Sequence, residues 1–487
     1  MTLKTILILI VSSILTLAGC CRGKGVKITL KCAAPLETST KLSSVRTSNG
    51  PVAGYIDDGV YIYKGVPYAK AERFMPATSP DAWSEVRPCR AYGPTCPQDK
   101  RAGWYDDNQA FAMHWDDGYP DEDCLRINIW TSGINDDGRR PVMVWLHGGG
   151  FRAGSGQELV SYDGSNLARE HGVVVVSLNH RLNVLGFLDL SAYGEKYAQS
   201  GNVGMTDIVK ALEWVRDNIA GFGGDASNVT VFGQSGGGGK VCTLMAMPSA
   251  KGLFSKAIVQ SGSITELMHP KYSRRVGAAT VEALGIKASD INELSNLPYG
   301  KLLEAYNKAL AIVREEARQD GFVSENFLNS ILFGQLPVVD GEVIPNQPSS
   351  SKAIELSKDV PTIIGTVYNE FTPDREDAIF RPLALRQAAD RVAAGCAPVY
   401  LYLFSWKSPV LDGVFGSAHC IEIPFVFDNV LLHRSFTGGG DEAVELGRRV
   451  SRLWTSFAKE GRPHAEGMPH WESYPKNLDI NIQTNIN

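Results

Sequence analysis

One serine stands in surroundings that could make it a nucleophile. In Val231-Phe232-Gly233-Gln234-Ser235-Gly236-Gly237-Gly238-Gly239 an apolar, β-branched run ends, a Gly-x-Ser-x-Gly pattern follows, and a helical stretch continues to Met247. Glycines on both sides of Ser235 let a strand reverse sharply into a helix, which leaves the hydroxyl exposed beside the helix N-terminus, where negative charge is favoured. Glycine-rich turns after strands also cradle phosphates, but the Lys-Ser or Lys-Thr pair of a phosphate loop does not follow. A second glycine run, His147-Gly148-Gly149-Gly150-Phe151, comes directly after the apolar stretch Val142 to Leu146. Acyl transfer passes through a tetrahedral oxyanion that needs two or three N–H donors, and the backbone of Gly149, Gly150 and Gly236 could supply them.

A serine hydroxyl needs a base, and in folds that carry such a turn the chain order is serine, acid, histidine, each on a loop after a strand. Of nine histidines, His419, His433, His464 and His470 follow a candidate acid. His464 and His470 lie in polar loops near the end and read as surface residues. His419 follows the strand-like Val399 to Phe404 through a glycine-bearing loop, Gly413 to Ser417, which would deliver it to the carboxyl edge of a sheet. His433 is the second candidate. For the acid, Glu370 lies two residues past the apolar run Val360 to Tyr368. Asp374, Glu376 and Asp377 sit in a dense charge run that reads as solvated, and Glu422 is three residues from His419.

These residues need a scaffold of alternating elements. Pro141–Leu146, Val173–Leu178, Val229–Phe232 and Ala257–Gln260 are short, apolar and β-branched, as buried parallel strands are. Between the second and third, Thr206 to Phe222 carries Ile208, Leu212, Trp214, Val215 and Ile219 at helical spacing, a βαβ crossover. The fold class is doubly wound α/β. With 487 residues, 44% hydrophobic and 21% charged, the chain is neither disordered nor fibrous nor a polytopic membrane protein. Its 48 basic and 53 acidic residues leave a net charge of −5, so there is no global basic field for nucleic acid.

The ends read differently. Lys4 followed by the apolar run Ile6 to Leu17 has the anatomy of a secretory signal, and Leu17-Ala18-Gly19-Cys20 resembles the lipobox of bacterial lipoproteins, with Cys20 as the lipidated residue. Residues 1–19 are then a lipoprotein-type signal peptide, 20–44 a tether, 45–475 one domain and 476–487 a polar tail. The protein is expected to be exported, on the periplasmic or outer face of a membrane that it touches only through the lipid. The remaining cysteines, Cys21, Cys32, Cys89, Cys96, Cys124, Cys242, Cys396 and Cys420, contain no Cys-x-x-Cys pair, which argues against zinc.

Tyr63-Lys64-Gly65-Val66-Pro67-Tyr68-Ala69, Gly93-Pro94-Thr95-Cys96-Pro97-Gln98, Glu122-Asp123-Cys124-Leu125, Asn179-His180-Arg181-Leu182 and Pro337-Val338-Val339-Asp340-Gly341 complete a pattern. From about Gly50 to about Tyr474 the chain resembles the type-B carboxylesterase and lipase family, to which the cholinesterases also belong. The resemblance implies an α/β-hydrolase fold, a mostly parallel central sheet flanked by helices, no cofactor or metal, and hydrolysis of small-molecule carboxylic esters through an acyl-enzyme. It implies a triad of Ser235, His419 and Glu370, the last from Asn369-Glu370-Phe371. It also implies a disulfide Cys96–Cys124 and structural ion pairs Arg73–Glu122 and Arg181–Asp207. The chain departs from the family in Gln234, where glutamate is usual, in the register of Trp115, and in a shortened stretch between Glu370 and His419. The first two weaken the expectation of a cationic substrate such as a choline ester, and the third suggests an open pocket. A non-catalytic adhesion or binding protein of the same fold and a specialised transacylase are the competing readings.

Overall fold

Along the central strands successive side chains go to opposite faces, and both faces are apolar, so a sheet built from them must be covered on both sides. The computed structural model shows such a sheet. It describes residues 34–99, 106–116, 118–322, 332–371, 379–476 and 480–481. The chain divides into two units, Met1–Pro35 and Leu36–Asn487, and the sheet lies in the second. The signal, Cys20, Cys21, Cys32, Asp374, Glu376 and Asp377 lie outside the described residues.

In chain order the strands are β1 (Ser44–Arg46), β2 (Pro51–Ala53), β3 (Tyr55–Asp57), β4 (Val60–Pro67), β5 (Arg87–Pro88), β6 (Arg126–Thr131) and β7 (Arg140–Leu146), followed by β8 (Val174–Leu178), β9 (Gly224–Gln234), β10 (Lys256–Gln260), β11 (Thr362–Val367), β12 (Val399–Phe404) and β13 (Ile480–Asn481). Ten of them form one sheet in the order β13-β12-β11-β10-β9-β7-β8-β6-β4-β3, and β1, β2 and β5 form a small one. From β8 to β13 every pairing is parallel, while β3, β4 and β6 add an antiparallel edge. Val142, Val144 and Leu146 of β7 pack into one core, and Met143 and Trp145 into the other, with Val174 and Val176 set against Val175 in β8. The expected crossover helix runs from Val203 to Asn218 and ends in a 3₁₀ turn, Ile219–Phe222.

Both ends of the folded body extend further than the sequence suggests. Glu37 pairs with Ile56 through two backbone hydrogen bonds of 2.9 and 2.8 Å, so the ordered unit begins before residue 45. Ile480–Asn481, inside the expected polar tail, pairs with Tyr402 and Leu403 as an edge strand. Edge pairing is made by backbone groups, which a composition reading does not see.

Both expected ion pairs are present. Arg181 clasps Asp207 through Nε at 2.8 Å and Nη2 at 2.6 Å, with both side chains buried, and Arg73 holds Glu122 through Nε at 2.7 Å. Removing one partner of a buried pair leaves an uncompensated charge, which costs about 3–5 kcal/mol. Asp207→Leu should therefore lower the unfolding free energy by about that amount, and urea titration followed by circular dichroism measures it.

Candidate active site

Parallel strands present their carboxyl ends along one edge, and loops leaving that edge converge in front of it. Ser235 follows β9, the glycine run follows β7, Glu370 follows β11 and His419 comes by a longer loop from β12. Register aligns them: Gln234 stands opposite Gln260, Gln260 opposite Gly365, and Gly365 opposite Tyr402.

Ser235 adopts φ 58° and ψ −123°, a backbone conformation rare for a side-chain-bearing residue, and heads the helix Gly236–Met245. Its N–H donates to Gln260 O at 2.8 Å and its carbonyl accepts from Gly239 N at 3.1 Å, which fixes the turn from both sides. A Cβ on Gly237 would lie 2.0 Å from the Leu146 carbonyl, so a glycine there lets the helix sit against β7. The glycine run wraps the same end, with Gly149 at φ 77° and Gly150 at φ 65°. Among the described residues the N–H groups of Gly149, Gly150 and Gly236 have no hydrogen-bond acceptor, as donors kept for a ligand would be.

Glu370 and His419 are brought together by their loops. Asn369 N donates to Ser417 O at 3.0 Å, Ser417 N to Asn369 Oδ1 at 2.8 Å, and His419 N to Glu370 O at 3.2 Å. Across this bridge His419 Nδ1 donates to Glu370 Oε2, while Glu370 Oε1 accepts from Val367 N at 3.0 Å. Both side chains are buried, and the imidazole stacks on Phe380 and tilts against Phe371. The Ser235 hydroxyl has no hydrogen-bond partner among the described residues. The Gln234 amide nitrogen lies against the His419 ring, 3.2 Å from Nε2, the atom that would take the serine proton, and 3.3 Å from Nδ1. The serine and histidine thus share one cleft without being bonded in this structure. Catalytic hydrogen bonds often tighten only when substrate binds.

The rival residues have other employment. His433 is buried, accepts from Ser161 Oγ at 2.6 Å through Nδ1 and donates to Ala112 O at 2.8 Å, and burial pushes it down to about 4. His464 is exposed beside Glu460, and His470 is exposed. Glu422 is fully buried, accepts from Gln260 Nε2 at 3.2 Å, and is pushed up to about 7 by burial and then by Glu370. Cys96 and Cys124, the pair of the expected disulfide, are both buried and stand close together as free thiols. Cys96 Sγ also accepts from Leu182 N at 3.2 Å.

The cleft holds about 350 Å³ and is walled mainly by apolar side chains, among them Met113, Trp115, Leu159, Ile264, Leu332, Phe371 and Phe380. Trp115, which as a loop tryptophan reads as packing, is part of this wall. A second cavity of about 170 Å³ shares Met113, Phe371 and His419 and extends to Val414, Phe415 and Phe436. Sequence reading missed Cys420, Phe371 and Glu158 as site residues. Cys420 Sγ donates to Gln234 Oε1 at 3.2 Å, and Glu158 accepts from Ser155 N and, at 3.0 Å, from Tyr162 Oη. Cys420 and Phe371 adjoin His419 and Glu370 in sequence, which was the available signal; Glu158 had none.

Comparison with known proteins gives the family. The profile described as "Carboxylesterase family" matches residues 41–381 and 376–487. The chain is 34% identical to "Para-nitrobenzyl esterase" of Bacillus subtilis (strain 168), over 88% of this chain and 92% of the relative. It is 31% identical to "Phenmedipham hydrolase" of Pseudarthrobacter oxydans, with the same two coverages. Among solved structures, an esterase from Clostridium hathewayi, titled as able to hydrolyse aliphatic aromatic polyesters, superposes with TM-score 0.78 at 32% identity, over 89% of this chain and 92% of that one. The α/β-hydrolase fold is shared with these esterases, and the chain belongs to the carboxylesterase family as a carboxylic-ester hydrolase.

Proposed function

We propose that Ser235, His419 and Glu370 carry the hydrolysis, with the N–H groups of Gly149, Gly150 and Gly236 as oxyanion donors. The observation that supports this most is the convergence of Ser235, His419 and the unpaired glycine donors on one cleft, with Glu370, outside that cleft's lining, holding His419 through Nδ1. Ser235 Oγ attacks the ester carbonyl carbon as its proton passes to His419 Nε2, displacing the Gln234 amide from that nitrogen. Glu370 keeps Nδ1 protonated and stabilises the imidazolium. The alcohol leaves with the proton from His419, and water, activated by the same nitrogen, releases the acid from the acyl-enzyme.

The substrate class follows from the walls. Gln234 brings no negative charge to the nucleophile, and the aromatic lining suits neutral esters with aryl or benzyl groups, as the names of the relatives suggest. Hydrolysis of p-nitrophenyl esters of increasing chain length, with and without an alcohol acceptor, distinguishes hydrolase from transacylase. Ser235→Ala should lose about 10⁶-fold in turnover, and wild-type-like rates in that variant would overturn the assignment. Glu370→Gln should lose on the order of 10⁴-fold because the histidine takes the wrong tautomer. Glu422→Gln should stay within about tenfold, since its side-chain hydrogen bond is to Gln260 and not to His419; the reverse ranking would transfer the acid's role to Glu422.

Export is the second part of the proposal. The lipobox-like Leu17-Ala18-Gly19-Cys20 supports a lipid anchor on Cys20 and a place on the periplasmic or outer face of a membrane. Two or more acyl chains give stable anchoring where one is marginal. Oxidising conditions there would join Cys96 and Cys124, whose thiols already touch. In a bacterial host, Cys20→Ala should leave the membrane fraction and lose the mass of the lipid. The native protein, alkylated without reduction, should carry two fewer labels than the reduced one.

A further inference from the structure

Lys240 is the only charged residue of the helix Gly236–Met245, and it is fully buried. A lysine ammonium is seldom buried without partners that need it. Its Nζ donates to His147 O at 2.8 Å and lies 3.5 Å from Gly148 O, beside the Phe151 ring. Both carbonyls belong to the glycine run, and Lys240 itself does not line the cleft. In a trans peptide the C=O and N–H bonds point in opposite directions. A carbonyl drawn inward to the ammonium therefore turns the N–H of the next residue outward, and for Gly148 O that N–H is Gly149's. His147 reinforces the arrangement, its Nδ1 donating to Gly148 O at 3.0 Å.

We propose that Lys240 is a positioning residue of the oxyanion hole, its buried ammonium orienting the His147 and Gly148 peptides and placing a positive charge behind the donors that receive the developing oxyanion. The proposal rests on the assignment of Ser235 and the glycine donors given above. Pulling on the Gly148 carbonyl also polarises that peptide and makes the Gly149 N–H a stronger donor. The effect grows as negative charge forms on the substrate oxygen, so it acts on the transition state more than on bound ester.

The titratable groups facing Lys240 are His147 after β7, His180 after β8 and Glu158 from the loop beyond the glycines. Burial and the Lys240 charge hold both histidines well below their ordinary range, so they are neutral and leave Lys240 as the cation of the cluster. Burial lowers Lys240 itself to about 7, against a partial restoring pull from Glu158. The charged form exists below that value and is lost as pH rises through it.

The test compares wild type, Lys240→Gln, which keeps an N–H donor without charge, and Lys240→Met, which keeps neither. All are expressed from the full chain, with Ser235→Ala beside them. On p-nitrophenyl butyrate at pH 6.5, kcat should fall about 10-fold in Lys240→Gln and about 100-fold in Lys240→Met, with KM within twofold. Affinity for an aryl trifluoromethyl ketone, whose adduct with serine carries the oxyanion, should fall by the same factors. Wild-type kcat should decline above about pH 7, and that decline should be absent in Lys240→Gln. If Lys240→Met does not accumulate as folded protein, the glutamine variant decides. The proposal is overturned if Lys240→Gln keeps wild-type kcat and ketone affinity, or shares the wild-type alkaline decline. An active Ser235→Ala would instead overturn the reading of the whole site, whereas an inactive one beside a wild-type-like Lys240→Gln would remove only the role of the lysine.

Discussion

Ser235 is held at φ 58°, and much of the site depends on that turn. A residue in such a region costs on the order of 1–3 kcal/mol, and it persists only where its surroundings over-determine it. Here they do so through backbone alone. The Gln260 carbonyl takes the serine N–H, Gly239 caps its carbonyl, and the helix beginning at Gly236 is seated against the Leu146 carbonyl through Gly237. The hydroxyl is thereby left in the cleft while the N–H of Gly236 faces the same space. A looser turn would release both the nucleophile and one of its donors.

The second requirement is to keep charge in a dry place without leaving it alone. The Glu370 carboxylate is buried but bonded to His419 and to Val367 N, and Arg181 is buried but clasped by Asp207. Glu422, deeper and facing Glu370, is pushed toward its neutral form, which suits a carboxyl that accepts one hydrogen bond from Gln260. Beneath the glycine run, Lys240 takes backbone carbonyls as partners in place of a carboxylate. Desolvation strengthens these pairings, because little water screens them.

The apolar wall serves the chemistry as well as the substrate. Phe371 and Phe380 pack on the His419 ring and fix its plane, while Leu159, Ile264 and Leu332 close other sides of the cleft. Among the described residues of the shortened stretch between the acid and the histidine, the helix Phe380–Ala393 begins at the ring that stacks on His419, and Phe371 stays 42% exposed.

Local pattern and chain order were enough to find the strands and the crossover helix and to put forward Ser235, the glycine run and His419 as the proposed site, because strand periodicity, glycine spacing and topology are written in consecutive residues. The ends of the body were not legible, since Glu37 and Ile480 join the fold through backbone pairing that composition does not record. The choice of Glu370 over Glu422 and of His419 over His433 was expressed in sequence only as position. In the structure it rests on which side chains meet and which are already bonded elsewhere. Cys96 and Cys124 come from separate segments and meet as buried free thiols only in the fold. The sequence by itself determined the class of scaffold and singled out the proposed nucleophile and glycine donors. Only tertiary structure decided the partner of His419, the place of Gln234 against its ring and the burial of Lys240, because desolvation and long-range contact exist only once distant segments are packed together.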